Sequence, residues 1–561
     1  GDNGSVMNDI DGEIIGQDED GVHIGDNGEV LNAGLIRGEE DGVHIGDNGF
    51  VYNDFSGEII GRDEDGVHIG DNGWVMNSGL IRGDEDGVYI GDNGWVYNGV
   101  DGAIRGGDED GVQIGGDGFV FNEGLIRGDE DGVEIDDNGT VINLGTIRGV
   151  DGDGIYIGDS GLVFNLGRIR ADQDGIYVDG EALVYNLGRI RSGGDGINIG
   201  SGEVISVGRI RAGGDGIYID GPGEVLSFGR IRAGEDGIDI GAGDVLAVGR
   251  ITAGADGIYI YSDGSVLNLG DIEAGDTGIR VDGSGVITSV GTIESDHVGI
   301  HLEGDGQINV IGTVIAGDVG IQGGSGSQEV NVIGTIDPPV AVDLGDGDDS
   351  IYFYSSSSTS GTVEMGGGDD VVQVGDYSEV DGVMLGGETS EVDGDLLIIG
   401  DGLYCLEDSG DIATAVGIDA LNPDSGTVDY LGQTYTWAEF EHISSGMNFQ
   451  PCFGRLYDGR INPYDLGAPD ALYCIVGGGV SVWEIDLEGH GTFSFAVTQE
   501  QIDAAFAQAV ANQSNTLIAS DNLGNSFYAN SDGHTTVFIA PDLREPGKQY
   551  VFTFEQIRCK P

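Results

Sequence analysis

Short apolar segments separated by glycine, aspartate and asparagine recur through the first 340 residues with a period of about 21. A D-G-(V/I)-x-(I/V) unit marks each period, with its glycine at Gly21, Gly42, Gly66, Gly87, Gly111, Gly132 and on to Gly299 and Gly320. Early steps alternate between 21 and 24 residues; from Gly132 onward they are 20 to 22. Each period holds three strand-sized apolar runs, such as Val43-His44-Ile45, Val51-Tyr52 and Ile59-Ile60, bounded by turn residues. No helix-length stretch intervenes. A coil this short cannot bury a core alone, but stacking on its neighbours can. The pattern therefore predicts an all-β, right-handed parallel β-solenoid with three short strands per coil and Val22, Ile24, Val30, Ile36 and their equivalents pointing inward. Fifteen coils at about 4.8 Å each give a rod about 70 Å long. The three extra residues of the longer coils fall at one place, as in Asn53-Asp54-Phe55-Ser56-Gly57, so one corner takes a longer turn.

Stacking puts identical residues above one another. Asn8, Asn32, Asn53, Asn77, Asn98, Asn122, Asn143, Asn165 and Asn186 form one such ladder, in which amides can bond one another, a structural role. Arg168, Arg189, Arg209, Arg230 and Arg250 form another, beside Arg170, Arg191, Arg211 and Arg232, with acidic turns expected to relieve their repulsion. Phe50, Trp74, Trp95 and Phe119 share one repeat position and make an exposed aromatic ladder, able to stack on sugars or on a neighbouring protomer.

Composition sharpens this. Gly numbers 109 without a Gly-X-Y period, which excludes collagen. A 39% hydrophobic content supports a core despite a net charge of −78 from 100 Asp/Glu against 22 Lys/Arg. Such a surface repels nucleic acid and anionic membranes. It calls for cations or basic partners. Calcium is the leading candidate, because Asp18-Glu19-Asp20, Asp63-Glu64-Asp65 and Asp108-Glu109-Asp110 cluster hard oxygen ligands beside glycines. The alternative is a solvated acidic surface held apart by screening. His23, His44 and His68 share an outward position, which Tyr89, Gln113 and Glu134 occupy later; a transition-metal role is weighed against an ordinary exposed strand site, and the latter is favoured. The coils are too uniform to carry the long loops of an enzyme groove, and no catalytic triad or zinc spacing is evident, so no enzyme is expected. Few threonines lie in the array, which argues against an ice-binding face.

The N-x-G-x-I-x-x-G-x-x-G-I pattern, as from Asn143 to Ile155, resembles the passenger repeats of autotransporter-type adhesins and other large bacterial surface β-helix proteins. The resemblance implies architecture and an extracellular, cell-surface location rather than a ligand. Two departures are that no C-terminal membrane β-barrel follows and that the acidity exceeds what the pattern needs. Gly345-Asp346-Gly347-Asp348-Asp349 and Gly366-Gly367-Gly368-Asp369-Asp370 resemble the glycine/aspartate nonapeptides of RTX β-rolls, in which such aspartates hold Ca²⁺ between coils. That likeness covers about 60 residues and lacks nine-residue tandem spacing. Tyr430 to Glu441 resembles the closing segment of such bacterial arrays and would cap the solenoid.

The chain thus divides into a solenoid (1–340), RTX-like coils with a capping segment (341–446), and a C-terminal module (447–561). The last resembles a poorly characterised tail of secreted bacterial proteins and reads as a small β-rich or α+β domain. Thr498 and Gln501 form a capping box opening a helix to about Asn512, with Ile502, Phe506 and Val510 inward. Cys405, Cys452, Cys474 and Cys559 are an even set confined to the C-terminal third, which points to two disulfides of open pairing and an oxidising compartment. No run is long enough to span a membrane. Gly1 opens in mid-repeat, so a processed or trimmed form is expected, and the bare first coil would be a joining surface. Two functions follow as expectations. One is a structural subunit of a surface filament, sheath or layer that self-associates through solenoid ends and the C-terminal module. The other is an adhesin binding glycans or host and substratum surfaces.

Overall fold

The computed structural model describes residues 1–387, apart from 356, 376 and 377, and beyond them 396–399 and the strands and helix named below. Two compact units result: Gly1–Val330 with Gly334–Gly347, and Asn331–Ile333 with Asp348–Pro561.

The first unit is a parallel β-solenoid. A representative coil has a first strand Val22–Ile24, a second Glu29–Asn32 and a third Leu35–Arg37. Each strand pairs in parallel with its equivalent in the next coil, like on like: Val22 with Val43, Val30 with Val51, Ile36 with Ile59. The third-strand ladder continues without a break to Thr335–Asp337. The longer coils place their extra residues between the second and third strands, with Ile10, Phe55 and Val100 exposed at the tips. The first-to-second strand turn carries Asn27, Asn48, Asn72 and Asn93 at φ of 56 to 60°, a left-handed conformation Asn tolerates better than most residues. In four later coils that lack this Asn the turn straightens and the two strands merge, as in Ile176–Asn186 and Ile197–Ser206.

The core is a column of stacked Val and Ile side chains. Val30, Ile36, Val43, Ile45, Val51 and Ile59 are all 0% exposed, and Val22 and Ile24 at the start are nearly so. Burying one such side chain stabilises by roughly 1.5–3 kcal/mol. The repeat glycine is required by close approach: a Cβ on Gly66 would lie 2.6 Å from the Gly87 carbonyl oxygen and 2.7 Å from Ile81 Cγ2.

The buried asparagine ladder stands at the end of the second strand. Each amide donates to the Oδ1 of the next, at 2.8 to 2.9 Å from Asn8 through Asn186, where Ser206 takes over. Asn98 also donates to the Gly102 and Leu125 carbonyls, tying the sharp corner to the coil above. A neutral amide suits this column because it can donate upward and accept from below without charge.

The second unit contains stacked coils of its own. Ser350–Phe353, Val371–Val374, Leu396–Ile399 and His442–Ser445 form one parallel ladder; Thr362–Glu364, Val383–Leu385 and Gln433–Ala438 form another. Gln433–Ala438, the sequence-predicted closing segment, also turns back antiparallel to Ser425–Tyr430. Tyr435 is fully buried there and donates to the Ser378 carbonyl at 2.6 Å. An antiparallel meander follows (Pro469–Gly477, Val480–Leu487, Gly491–Val497). A helix, Gln499–Asn512, runs over the predicted span, with Ala505 and Ala509 buried; the side chains of Ile502, Phe506 and Val510 lie outside the described residues. An antiparallel sheet of Thr516–Ser520, Ser526–Ala529, Thr535–Ile539 and Tyr550–Phe554 completes the unit. Cys474 lies in the first meander strand, while Cys405, Cys452 and Cys559 lie outside the described residues, as does any disulfide.

Asn98→Ala breaks two rungs and strands Asn77 and Asn122, so a loss of about 2–4 kcal/mol is expected from unsatisfied buried groups. Denaturant unfolding checks this, and a loss below 0.5 kcal/mol would contradict a structural role for the ladder.

Candidate functional site

From Gly21 to Gly257 the aspartate immediately before the repeat glycine forms a continuous column. Its backbone N–H sits at the corner leading into the first strand and donates to the carboxylate of the aspartate one coil earlier. Asp41 bonds Asp20 Oδ1 at 3.1 Å, Asp65 bonds Asp41 at 2.9 Å, and Asp86 bonds Asp65 at 3.0 Å. The same link runs through Asp110, Asp131, Asp153, Asp174, Asp195, Asp215 and Asp236 to Asp256, whose Oδ1 accepts from Thr277 at 2.8 Å. The carboxylate thus satisfies a corner N–H that would otherwise be buried without an acceptor. Asp41, Asp65, Asp86 and Asp110 are buried, and the others are buried or half-buried.

This arrangement stacks like charges one coil apart. Two such charges repel by about 0.9 kcal/mol in water and by roughly 3–4 kcal/mol at an effective dielectric near 20. What relieves the repulsion is the residue two positions beyond the repeat glycine, on the outward side of the first strand. In three coils it is histidine: His23, His44 and His68 place Nδ1 at 2.6, 2.7 and 2.9 Å from Asp20, Asp41 and Asp65. Their rings stack in parallel with centroids 4.7 and 4.6 Å apart. The hydrogen bond to Asp41 holds the His44 imidazole above its usual range against the opposing effect of burial. These rings are therefore partners of the aspartate column, a link that sequence reading missed. Asp20, His23 and His44, and likewise Asp41, His44 and His68, bring potential ligand atoms within 4.8 Å of one another.

Above His68 the imidazoles stop. Burial, with repulsion from Asp65, pushes the Asp86 carboxyl up to about 8. Burial and a hydrogen bond to Glu134 raise Asp110 further still. Asp131, Asp153 and Asp215 are lifted by burial to about 7, and Asp195 and Asp256 to about 6. Where the outward residue is itself acidic, three carboxylates converge: Asp110, Asp131 and Glu134, and Asp215, Asp236 and Asp239, each set with oxygens within 4.8 Å. Clustered hard oxygens of this kind match the donor chemistry of Ca²⁺. A proton or a cation can neutralise such a group; Arg280, in the same outward ladder two coils beyond Asp239, draws Asp236 and Asp256 downward against burial.

The sequence-predicted aspartates divide between two environments. Asp20, Asp65 and Asp110 lie in the column, whereas Asp18, Asp63 and Asp108 are exposed on the turn before it. Asp41, Asp86, Asp131 and those beyond were missed, although each precedes a repeat glycine. In the first unit Asp346 is exposed, its N–H bonded to the Gly324 carbonyl at 2.9 Å. In the second unit Asp349 is buried and donates its N–H to Asp370 Oδ1 at 2.8 Å, while the Asp369 N–H donates to Asp348 Oδ1 at 3.0 Å. The two glycine/aspartate segments therefore meet one coil apart.

Two further surfaces flank the column. On the second strand Phe50, Trp74, Trp95 and Phe119 occur in one register, with Trp74–Trp95 and Trp95–Phe119 centroids 5.2 and 5.9 Å apart. Trp74 is exposed and the other three are half-buried. Beside them, two residues along, run Tyr52, Met76, Tyr97 and Phe121. On the third strand Arg168, Arg189, Arg209, Arg230 and Arg250 stack in one column. Arg170, Arg191, Arg211 and Arg232 stack in a second. The first column borders a groove of about 860 Å³ whose other wall includes Leu144, Leu166, Leu187 and Val207. The expected relief by acidic turns does not occur. Arg250 reaches Asp271 at 3.5 Å, but none of the other eight guanidiniums has a carboxylate within 4.0 Å among the described residues. After Arg191 and Arg211 the turns are glycine pairs, Gly193-Gly194 and Gly213-Gly214, in place of the Asp-Glu of earlier coils, while Asp172 follows Arg170 and Glu235 follows Arg232.

Comparison with protein-family models, curated proteins and solved structures finds no match. Among the described residues no helix is long and apolar enough to cross a membrane.

Two predictions follow from the column. Carboxyls raised by burial bind protons more tightly in the folded than in the unfolded state, so stability is greatest below the unfolded value near 4. It falls as pH rises through the folded values of about 6 to 8. The His44 imidazole, raised by its bond to Asp41, acts in the same direction. In chelator, Tm should be lower at pH 8 than at pH 5 by roughly 10 °C; calorimetry showing the opposite slope would refute the column's role. Asp131→Asn keeps the Oδ1 acceptor for Asp153 and removes a charge. It should raise Tm at pH 8 in chelator by several degrees and leave Tm at pH 5 unchanged, as calorimetry of the two proteins would show.

Proposed function

We propose that this chain is an extracellular structural protein, a cation-stabilised subunit of a bacterial surface filament, sheath or layer. The observation that carries this reading is the uninterrupted, in-register stacking of the first unit, in which asparagine, aspartate, aromatic and arginine positions all repeat along one axis. Such a surface offers the same contacts many times over, which suits a component that is laid against copies of itself or along a polymer. The resemblance of its repeats to bacterial surface β-helix passengers supports the location, and the likeness of residues 345–370 to RTX segments supports calcium as the stabilising ion. Ca²⁺ bound at the Asp110, Asp131 and Glu134 carboxylates would neutralise the part of the column that has no histidine partner.

A second reading is favoured by one specific feature. The in-register rings around Trp74 and Trp95 offer a flat aromatic face that suits sugar rings, as an adhesin would need.

Electron micrographs of purified protein in calcium and in chelator separate the two. Regular filaments or sheets that form with calcium and disperse on chelation are expected. Monodisperse particles in both conditions that bind a glycan surface, and lose that binding in Trp74→Ala and Trp95→Ala, would replace the structural reading with the adhesin. Assembly and stability unaltered by chelation would remove calcium from the account.

A further inference from the structure

Arginine density changes along the axis of the first unit, from one third-strand column in the early coils to two from residue 168 on. Glu19, Glu40, Glu64, Glu85, Glu109 and Glu130 stand one per coil on exposed turns in its first part. Successive turns are stitched by backbone bonds, such as Arg62 N–H to the Glu40 carbonyl and Glu130 N–H to the Glu109 carbonyl. Burial, then repulsion from Asp41, Glu40 and Glu85, raises the Glu64 carboxyl. Farther along the same axis the Arg168–Arg250 column stands beside the column through Arg170, which itself reaches back through Arg148, Arg127 and Arg105 to Arg82; from 168 to 250 the two are largely without carboxylate partners in a chain that has 100 Asp/Glu.

We infer that these arginine columns receive the glutamate stack of a second copy of this chain, laid alongside and displaced along the axis by six or seven coils, roughly 30 Å. The inference rests on the structural reading above and goes beyond it by naming a lateral contact. The occupant is argued from spacing. Both columns are built on parallel β-pairing, so each repeats at about 4.8 Å whether a coil has 21 or 24 residues. Charges on a second copy therefore match the arginines rung for rung over four or five coils. The contact also relieves two self-repelling stacks at once. The net charge of −78 opposes association, but at physiological salt it is screened beyond about 8 Å, while pairs in contact are screened far less. Because different surfaces of the two copies meet, each copy offers a free acidic stack at one end and a free arginine face at the other. Such a contact repeats without closing and yields a staggered array.

Charge reversal of the full chain tests this. R168E/R189E/R209E/R230E and, separately, E40K/E64K/E85K/E109K should each weaken self-association at least tenfold in sedimentation velocity at 0.1 M salt, with circular dichroism showing that both remain folded. Mixing the two should restore association, since the new acidic face meets the new lysine stack. Filaments that persist in the arginine variant sink the lateral contact and leave the structural reading standing. A wild-type chain that never assembles, including one that instead co-sediments with polygalacturonate through its arginines, sinks both.

Discussion

Parallel in-register stacking places every residue about one strand spacing from its own counterpart, and the rest of the molecule is an answer to that constraint. For Val and Ile the consequence is a continuous dry core. For Asn it is a hydrogen-bonded column, because an amide can give and take at once. For ionised side chains the same geometry is unfavourable, and the chain meets it differently at each corner. Histidines sit against the first aspartates, raised carboxyl pKa values mark the next ones, and the arginines face solvent.

The aspartate column shows why a costly residue is retained. Its Oδ1 supplies an acceptor to a corner N–H that the neighbouring coil's backbone does not reach. An asparagine could do that equally well, as the adjoining asparagine ladder demonstrates for another corner. The second carboxylate oxygen is what asparagine lacks. In the first coils it meets an imidazole, and Asn198 spans Asp174 and Asp195 at 2.9 and 3.2 Å. Arg280 acts on Asp236 and Asp256 at the far end; between these partners the oxygen is open to a proton or a cation, which would couple the column's charge state to its ionic surroundings.

Much of this was legible in the residues. The period, the three strands, the inward Val and Ile, the asparagine ladder, the place of the longer turns and the helix from 499 to 512 all follow from patterns that local sequence carries. The register of Phe50, Trp74, Trp95 and Phe119 follows from the same period. The pairing of His44 with Asp41 did not stand out, because a turn aspartate and an outward strand residue three positions apart look independent until the corner folds them together. Nor did the division of each acidic turn into one buried and one exposed aspartate, since Asp18 and Asp20 are chemically alike and only the corner geometry separates them. The lack of ion pairs for most of these arginines was missed for a related reason: overall charge promised partners, but two of the local turns are Gly-Gly and the Asp172 and Glu235 turns do not come within ion-pair distance.

The central claim is that the column holds protons or cations in place of internal counter-charges. Adding Ca²⁺ to metal-free protein at pH 7 while recording proton release in weakly buffered solution tests it most directly. Release of several protons per chain, diminished in Asp131→Asn, is the predicted result. Calcium that binds without releasing protons, together with a potentiometric titration in which every carboxyl is already ionised by pH 5.5, would contradict it.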